Sequence, residues 1–198
     1  EGEDMVSPEP GELEVVNRAA PVCKPEDYKP FCFDEGAVAP LASYGSDYVF
    51  HVTSSMHGED GYSCNTPVNA ARRVAQLHTK LAAGRDEIVM TRYFGPEDCE
   101  TLIVASGIVT RAARSAAATA NAAGKKVGVL QLQTLWPFAD KEVARASRSA
   151  KRVVVAEMNY SGQLAGEVMK CVSDPRMVSG VNTYNGSIMT PAQIGAAL

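Results

Sequence analysis

The 198 residues contain no Cys-x-x-Cys pair, no Walker loop and no three-glycine dinucleotide fingerprint. The longest apolar stretches, such as residues 101–109, are too short to span a bilayer, which excludes a transmembrane helix. The five cysteines, Cys23, Cys32, Cys64, Cys99 and Cys171, are odd in number and scattered. Neither a disulfide framework nor a zinc or iron–sulfur site is legible in that spacing, and free thiols in a reducing cytoplasm are the expectation. Glu1-Gly2-Glu3-Asp4 is acidic where a secretory leader is basic and then apolar, so these residues are not expected to be one. With no initiating Met, the chain reads as one that begins in the middle of something.

Excess positive charge is lacking too. The net charge of -4 argues against general attraction to nucleic acid or anionic lipid. It is unevenly spread: residues 1–94 carry 8 basic and 15 acidic side chains, whereas residues 95–198 carry 11 and 8. Two physically different segments are implied.

Proline marks the first of them. Pro8, Pro10, Pro21, Pro25, Pro30 and Pro40 each remove an amide donor and bias the preceding residue toward extended geometry. Only residues 13–16 and 48–52 read as strand-like there. Disorder competes as a reading. Tyr28, Phe31, Phe33, Tyr44, Tyr48 and Phe50, however, are more aromatics than a disordered tail carries, so residues 1–65 are expected to form an extended arm docked on a partner. Residues 66–94 read as a linking helix and connector. Thr66-Pro67 supplies an N-cap and a helix-starting proline, and Val68, Ala71, Ala75, His78 and Leu81 form an apolar stripe ending near Gly84.

From Gly95 the pattern turns regular. Apolar runs at 101–105, 127–132, 153–156 and 177–181 lack the alternation of half-wet strands and read as strands buried on both faces. Helical stretches lie between them at 108–123, 140–150 and 163–172, and Thr190-Pro191-Ala192-Gln193 opens a last helix with a capping box. Such alternation predicts an α/β domain over 95–198: an open, mainly parallel sheet with helices on both faces.

Ligands of such sheets collect at the carboxyl ends of strands. That rule makes Ser106, Gly107, Asn159, Ser161 and Gly162 candidate cofactor-binding residues, with 182–186 as a third loop. Glu157, at a strand end, is either a buried interface carboxylate or a cap that accepts amides from a neighbouring loop. His51, His57 and Glu59 sit on an irregular segment without the fixed face a metal site needs. His78 reads as a core or interface histidine, and Trp136-Pro137-Phe138 as edge packing. Arg145, Arg148, Lys151 and Arg152, with Arg111 and Arg114 on another helix, lack the interleaved aromatics of a nucleic-acid platform and read as a solvated helix end. No nucleophile, base and orienting group assemble, so no catalytic residue and no metal ligand are assigned.

Three C-terminal segments taken together are more specific than any one of them. Residues 128–138 (GVLQLQTLWPF), 153–164 (VVVAEMNYSGQL) and 181–191 (VNTYNGSIMTP) resemble the C-terminal part of the alpha subunit of 2-oxoacid:ferredoxin oxidoreductases. Upstream, residues 24–31 (KPEDYKPF), 57–62 (HGEDGY) and the helix with Arg72-Arg73 resemble the segment that leaves that subunit's thiamine-pyrimidine domain. The resemblance implies oxidative decarboxylation of a 2-oxoacid with coenzyme A, yielding acyl-CoA and reduced ferredoxin. It implies thiamine diphosphate, magnesium and iron–sulfur clusters in the whole complex, none of them bound by this chain alone, and beta-type and iron–sulfur partner subunits. Without a Gly-Asp-Gly motif or a cysteine cluster, the diphosphate site and the clusters are expected on those partners, and the pyrimidine-contacting domain is expected to precede Glu1. The α/β domain is then similar to the transketolase C-terminal domain, whose usual part is packing subunits together. Relatives often have His-Asp-Glu where this chain has His57-Gly58-Glu59, so no role of that middle carboxylate carries over. The competing hypothesis is a free-standing module that binds a small ligand or nucleotide at the strand-end loops.

Overall fold

A computed structural model of the chain describes residues 7–198, so the acidic start Glu1-Gly2-Glu3-Asp4 lies outside the described residues. The chain divides into two compact units, one through Ala83 and one from Gly84.

Among the described residues of the first unit the arm has no strand. The segments 13–16 and 48–52, expected as strand-like, are irregular, and one isolated bridge pairs His57 with Ser63. The six prolines deny the segment the regular donors a ladder needs. Tyr28 instead gathers Tyr48 and Phe50 edge-on, with ring centroids 5.3 and 5.6 Å away. Its hydroxyl donates to the Pro40 carbonyl and accepts from the Ala42 amide, both at 3.3 Å. Gly61 sits at φ 87°, where a Cβ would fall 1.7 Å from the His51 carbonyl oxygen, so only glycine fits this crossing of the arm over itself.

Helix α1 spans Pro67–Ala83, and Thr66 Oγ1 accepts the Asn69 amide as the expected N-cap. Its covered face differs from the expected one. Val68, Ala71, Ala75 and His78 are exposed, while the buried side chains are Arg73 and Gln76. The reason lies in the arm: a chain without a ladder leaves carbonyls to be satisfied, and a polar helix face satisfies them. Arg73 donates to the carbonyls of Phe31 at 2.8 Å and His57 at 3.3 Å, and to Gln76 Oε1 at 2.8 Å. Gln76 donates to the Phe33 carbonyl at 3.1 Å, and Asn69 to those of His57 and Cys64.

The second unit is a five-stranded sheet. After a single turn, α2 (Arg85–Ile88), the strands are β1 (Thr91–Phe94), β2 (Thr101–Ser106), β3 (Val127–Leu132), β4 (Arg152–Glu157) and β5 (Val178–Asn182). Their spatial order is β1-β3-β2-β4-β5, with β1 antiparallel to β3 and all other pairs parallel. The four runs read from sequence are the four parallel strands, but the last, expected to be buried on both faces, is the other edge of the sheet, with Ser179 and Gly180 of β5 exposed. The antiparallel edge strand β1 lies in the stretch expected to be a connector. Its burial is partial, so it leaves no continuous apolar run to read.

Helices α3 (Val109–Ala122) and α6 (Pro191–Gly195) cover one face, and α4 (Asp140–Ala146) and α5 (Gln163–Met169) the other. Alternate residues of β2 feed the two cores. Leu102 and Val104 point toward Val143 of α4 and Val168 of α5, while Ile103 and Ala105 point toward Ala113 and Ala116 of α3. All four β2 residues are fully buried, which is why the run shows no alternation. The alanines of α3 bring its backbone close to the sheet. Gly128 makes room within β3, since a Cβ there would stand 2.2 Å from the Tyr93 hydroxyl. The capping box of α6 forms as expected, with Thr190 Oγ1 accepting the Gln193 amide and Gln193 Oε1 accepting the Thr190 amide.

Candidate functional site

Chain direction across the sheet creates one privileged place. From β2 the chain moves outward to β3, and from β4 outward the other way to β5, so the crevice between the carboxyl ends of β2 and β4 is the topological switch point. A cavity of about 440 Å³ lies there. Ser106, Gly107 and Asn159, three of the sequence candidates, line it with Leu135, Phe138 and Met158. Ser161 is exposed and does not line it, and Gly162, at φ 69°, serves as the N-cap residue of α5.

Glu157 resolves its two readings in favour of the cap. The side chain is 5% exposed; Oε2 accepts the Leu164 amide at 2.8 Å and Oε1 accepts the Ala165 amide at 3.0 Å. Asn159 Nδ2 donates to the same carboxylate, while its Oδ1 accepts the Gly162 amide at 2.8 Å. Asn182 Nδ2 closes the network on the Asn159 carbonyl at 2.9 Å. These polar groups hold the β4 loop and the first turn of α5 in place, and their bonding capacity is spent on each other. No cation lines the crevice, whereas the carboxylates Glu157 and Glu167 do. A phosphorylated ligand therefore meets like charge there.

The remaining sequence candidates do not converge. His51 stacks on Tyr62 at 4.6 Å, and His57 lies against Phe31 at 3.7 Å with Nδ1 3.1 Å from the Ser55 carbonyl. Glu59 pairs with Arg72 at 2.5 Å, and that hydrogen bond and charge hold its carboxyl below the usual range. Among the described residues no three His, Cys, Asp or Glu side chains come together as a metal site, and the five cysteines are free. Arg114 lies over the Phe94 ring at 4.2 Å. Lys151 pairs with Glu100 at 3.1 Å, and Arg152 donates to the Ala197 carbonyl at 2.7 Å.

Sequence reasoning missed Arg73. Burial lowers its pKa, and one of its terminal nitrogens, Nη2, is buried without a hydrogen-bond partner. It lines a cavity of about 510 Å³ with Arg18, Lys80, Phe31, Phe33 and Leu77, and among the described residues no carboxylate lines that cavity. The available signal was polar, not apolar: Asn69, Arg73, Gln76 and Lys80 recur at helical spacing beside an arm that lacks a ladder.

Comparison with known proteins places this geometry. Residues 99–194 match the family of the pyruvate:ferredoxin oxidoreductase core domain II. The chain is 30% identical over 187 residues to the 2-oxoglutarate synthase subunit KorA of Methanocaldococcus jannaschii, covering 94% of this chain and 49% of that protein. It is 35% identical over 113 residues to the ketoisovalerate oxidoreductase subunit VorB of Methanothermobacter marburgensis, covering 57% of this chain and 32% of that one. It thus spans about half the length of the KorA relatives it matches. Its fold is that of a solved 2-oxoglutarate:ferredoxin oxidoreductase from Magnetococcus marinus, determined with 2-oxoglutarate, coenzyme A and succinyl-CoA bound. The TM-score is 0.80 at 23% identity, over 96% of this chain and 33% of that one. With core domain II matched on the α/β unit and the likeness to KorA running along the arm as well, the chain is similar to a part of the alpha-type subunits of 2-oxoacid:ferredoxin oxidoreductases.

Proposed function

We propose that the chain works within a thiamine diphosphate-dependent 2-oxoacid:ferredoxin oxidoreductase, where its own task is to pack subunits together. The complex converts a 2-oxoacid, coenzyme A and two oxidised ferredoxins to acyl-CoA, carbon dioxide, a proton and two reduced ferredoxins. The observation that carries this reading is the likeness to KorA, 30% identical over 94% of the chain. It also favours 2-oxoglutarate as the first substrate to try. Thiamine diphosphate would supply the carbanion chemistry and iron–sulfur clusters the one-electron steps. The residues present fit neither group: the sequence has no Gly-Asp-Gly motif, and no cysteine cluster forms among the described residues. Both belong, in this reading, to beta-type and iron–sulfur partner chains. The arm, 1–65, and the linking segment, 66–94, dock on partners, and the α/β domain, 95–198, forms the packing body. Anaerobic assay of 2-oxoglutarate-dependent viologen reduction tests it. The chain with thiamine diphosphate, magnesium and coenzyme A alone is expected to be inactive, and turnover by that mixture would contradict the proposal.

One observation favours a second reading, a module that binds a small ligand. The cavity beside α1 joins apolar walls to Arg18, Arg73 and Lys80, which suits an organic anion. Calorimetry of the chain with coenzyme A, ATP, NAD and thiamine diphosphate separates the two, because micromolar binding to the chain by itself supports the module.

A further inference from the structure

The cavity of about 510 Å³ lies wholly in the first unit, since every residue lining it falls between Arg18 and Lys80. That volume is within the ~300–1,000 Å³ of small-molecule pockets. Helix α1 supplies one wall: Arg73, Gln76, Leu77 and Lys80 stand at i, i+3, i+4 and i+7, so they share a face, and all four line the cavity. The arm supplies the rest, which is largely apolar, with Phe31, Phe33, Leu41, Val52 and Met56 among its side chains.

Arg73 stands apart within this lining. Its side chain is buried, and Nε and Nη1 are spent on the carbonyls of His57 and Phe31 and on Gln76 Oε1. Nη2 is buried with no hydrogen-bond partner. A guanidinium does not deprotonate in a protein, so a positive charge and the donors of one nitrogen are left without an acceptor. The charged neighbours that act on it, Arg72 and Glu59, pair with each other. Among the described residues no carboxylate lines the cavity, whereas Arg18 and Lys80 add positive charge to it. Buried donors are nearly always satisfied, and here the acceptor has to come from outside the chain.

The walls narrow what that acceptor belongs to. A phosphate or sulfate brings at least three oxygens that need donors, and phenyl and aliphatic walls offer none. A peptide brings amides and carbonyls that the same walls leave unpaired. A carboxylate on an apolar body meets both halves, with two oxygens for the cations and a tail for the rings.

We propose that this cavity binds a small amphipathic carboxylate, of the class of a medium-chain fatty or arylalkyl acid, with its head group on Arg73 Nη2 and its tail against Phe31, Phe33 and Met56. The inference rests on the second reading above for its cavity, names the ligand class of that site, and applies to the chain alone or within a complex.

Calorimetry of the full chain with octanoate tests it. Octanoate is expected to bind one to one, 1-octanol at least tenfold more weakly, and octylamine and inorganic phosphate not measurably. Leu77→Glu places a carboxylate one helical turn from Arg73, on a side chain that is 56% exposed and holds no arm carbonyl. It should weaken octanoate binding at least tenfold, while the neutral Leu77→Gln weakens it less than about threefold. Arg73→Met should abolish binding; because that change also loosens the arm, the Leu77 pair decides if the arm opens. Limited proteolysis within residues 30–60 gives a second readout, with octanoate slowing cleavage of the native chain but not of Leu77→Glu. No octanoate binding, equal affinity for 1-octanol, or indifference to Leu77→Glu would each overturn the proposal. Micromolar binding of coenzyme A, ATP, NAD or thiamine diphosphate without octanoate would overturn it and leave the small-ligand module standing. Binding of none of the five would remove both.

Discussion

The two units of this chain bury backbone by opposite means. From Gly84 onward the peptide groups pair in a sheet, and apolar side chains from both faces close over it, with Leu102, Ile103, Val104 and Ala105 fully buried. Before Gly84 the described residues bury little that is apolar beyond Pro30 and Ala42. What organises that unit is a row of donors on α1, Asn69, Arg73 and Gln76, reaching arm carbonyls. A hydrophobic core tolerates polar error poorly and a donor row tolerates apolar error poorly, so the two units should fail to different substitutions.

The largest expected effect is in the sheet. Ile103→Ala removes a fully buried side chain from the central strand and should cost roughly 2–5 kcal/mol in urea unfolding of the α/β unit. A loss below 1 kcal/mol would erase the contrast, because the sheet would then not depend on its core. Next is Arg73→Met, which keeps bulk but removes the bonds to Phe31 and His57. Each hydrogen bond to a charged group is worth roughly 1.5–3 kcal/mol. Limited proteolysis within residues 30–60 should accelerate at least tenfold while the sheet's unfolding is untouched. An arm as resistant as before would mean that something other than the donor row holds it.

How much of this was legible in the sequence follows from the same contrast. Strands buried on both faces write themselves as unbroken apolar runs, so β2 to β4 could be read directly, whereas β5 is an edge strand with Ser179 and Gly180 exposed, found from sequence but not as wet as it is. Edge strand β1, Thr-Arg-Tyr-Phe, is half wet and follows no run, and nothing local marks it. Apolar periodicity chose the wrong face of α1, because there the helix is turned by the hydrogen-bonding demand of a distant segment. Hydropathy cannot see such a demand. Of the five candidate site residues, Ser106, Gly107 and Asn159 border the crevice, as the strand-end rule anticipates. That Glu157 closes the β4 loop could be posed from sequence but settled only by its distances to Leu164 and Ala165.

Glu157→Gln probes a place where the core unit borrows the arm's device. Replacing one carboxylate oxygen by an amide donor faces a donor against the amide of Leu164 or Ala165, at a cost of about 1–3 kcal/mol. Hydrogen exchange at those two amides should quicken while the amides of β2 stay protected; uniform loss of protection would show that the cap and the sheet are one cooperative element. The smallest effect is on pH. Arg72 depresses the Glu59 pKa below its ordinary value of 4.5. A depressed carboxylate stabilises the folded form above its unfolded pKa, and that contribution disappears as pH falls through the lower folded value. Pepsin cleavage of the arm should therefore rise below pH 4.5 more steeply in the native chain than in Glu59→Gln. Parallel curves would remove this pair from the arm's anchorage.

The central claim is that the chain contributes surface and not reacting groups. Its most direct test is turnover by the fully assembled oxidoreductase carrying Ser106→Ala or Gln163→Ala, the two uncharged polar side chains lining the crevice that take no part in the Glu157 network. Assembly is followed by sedimentation, and 2-oxoglutarate-dependent viologen reduction by anaerobic assay. The account predicts kcat within about twofold of the native complex for both variants, and a hundredfold fall in kcat in an intact assembly would contradict it.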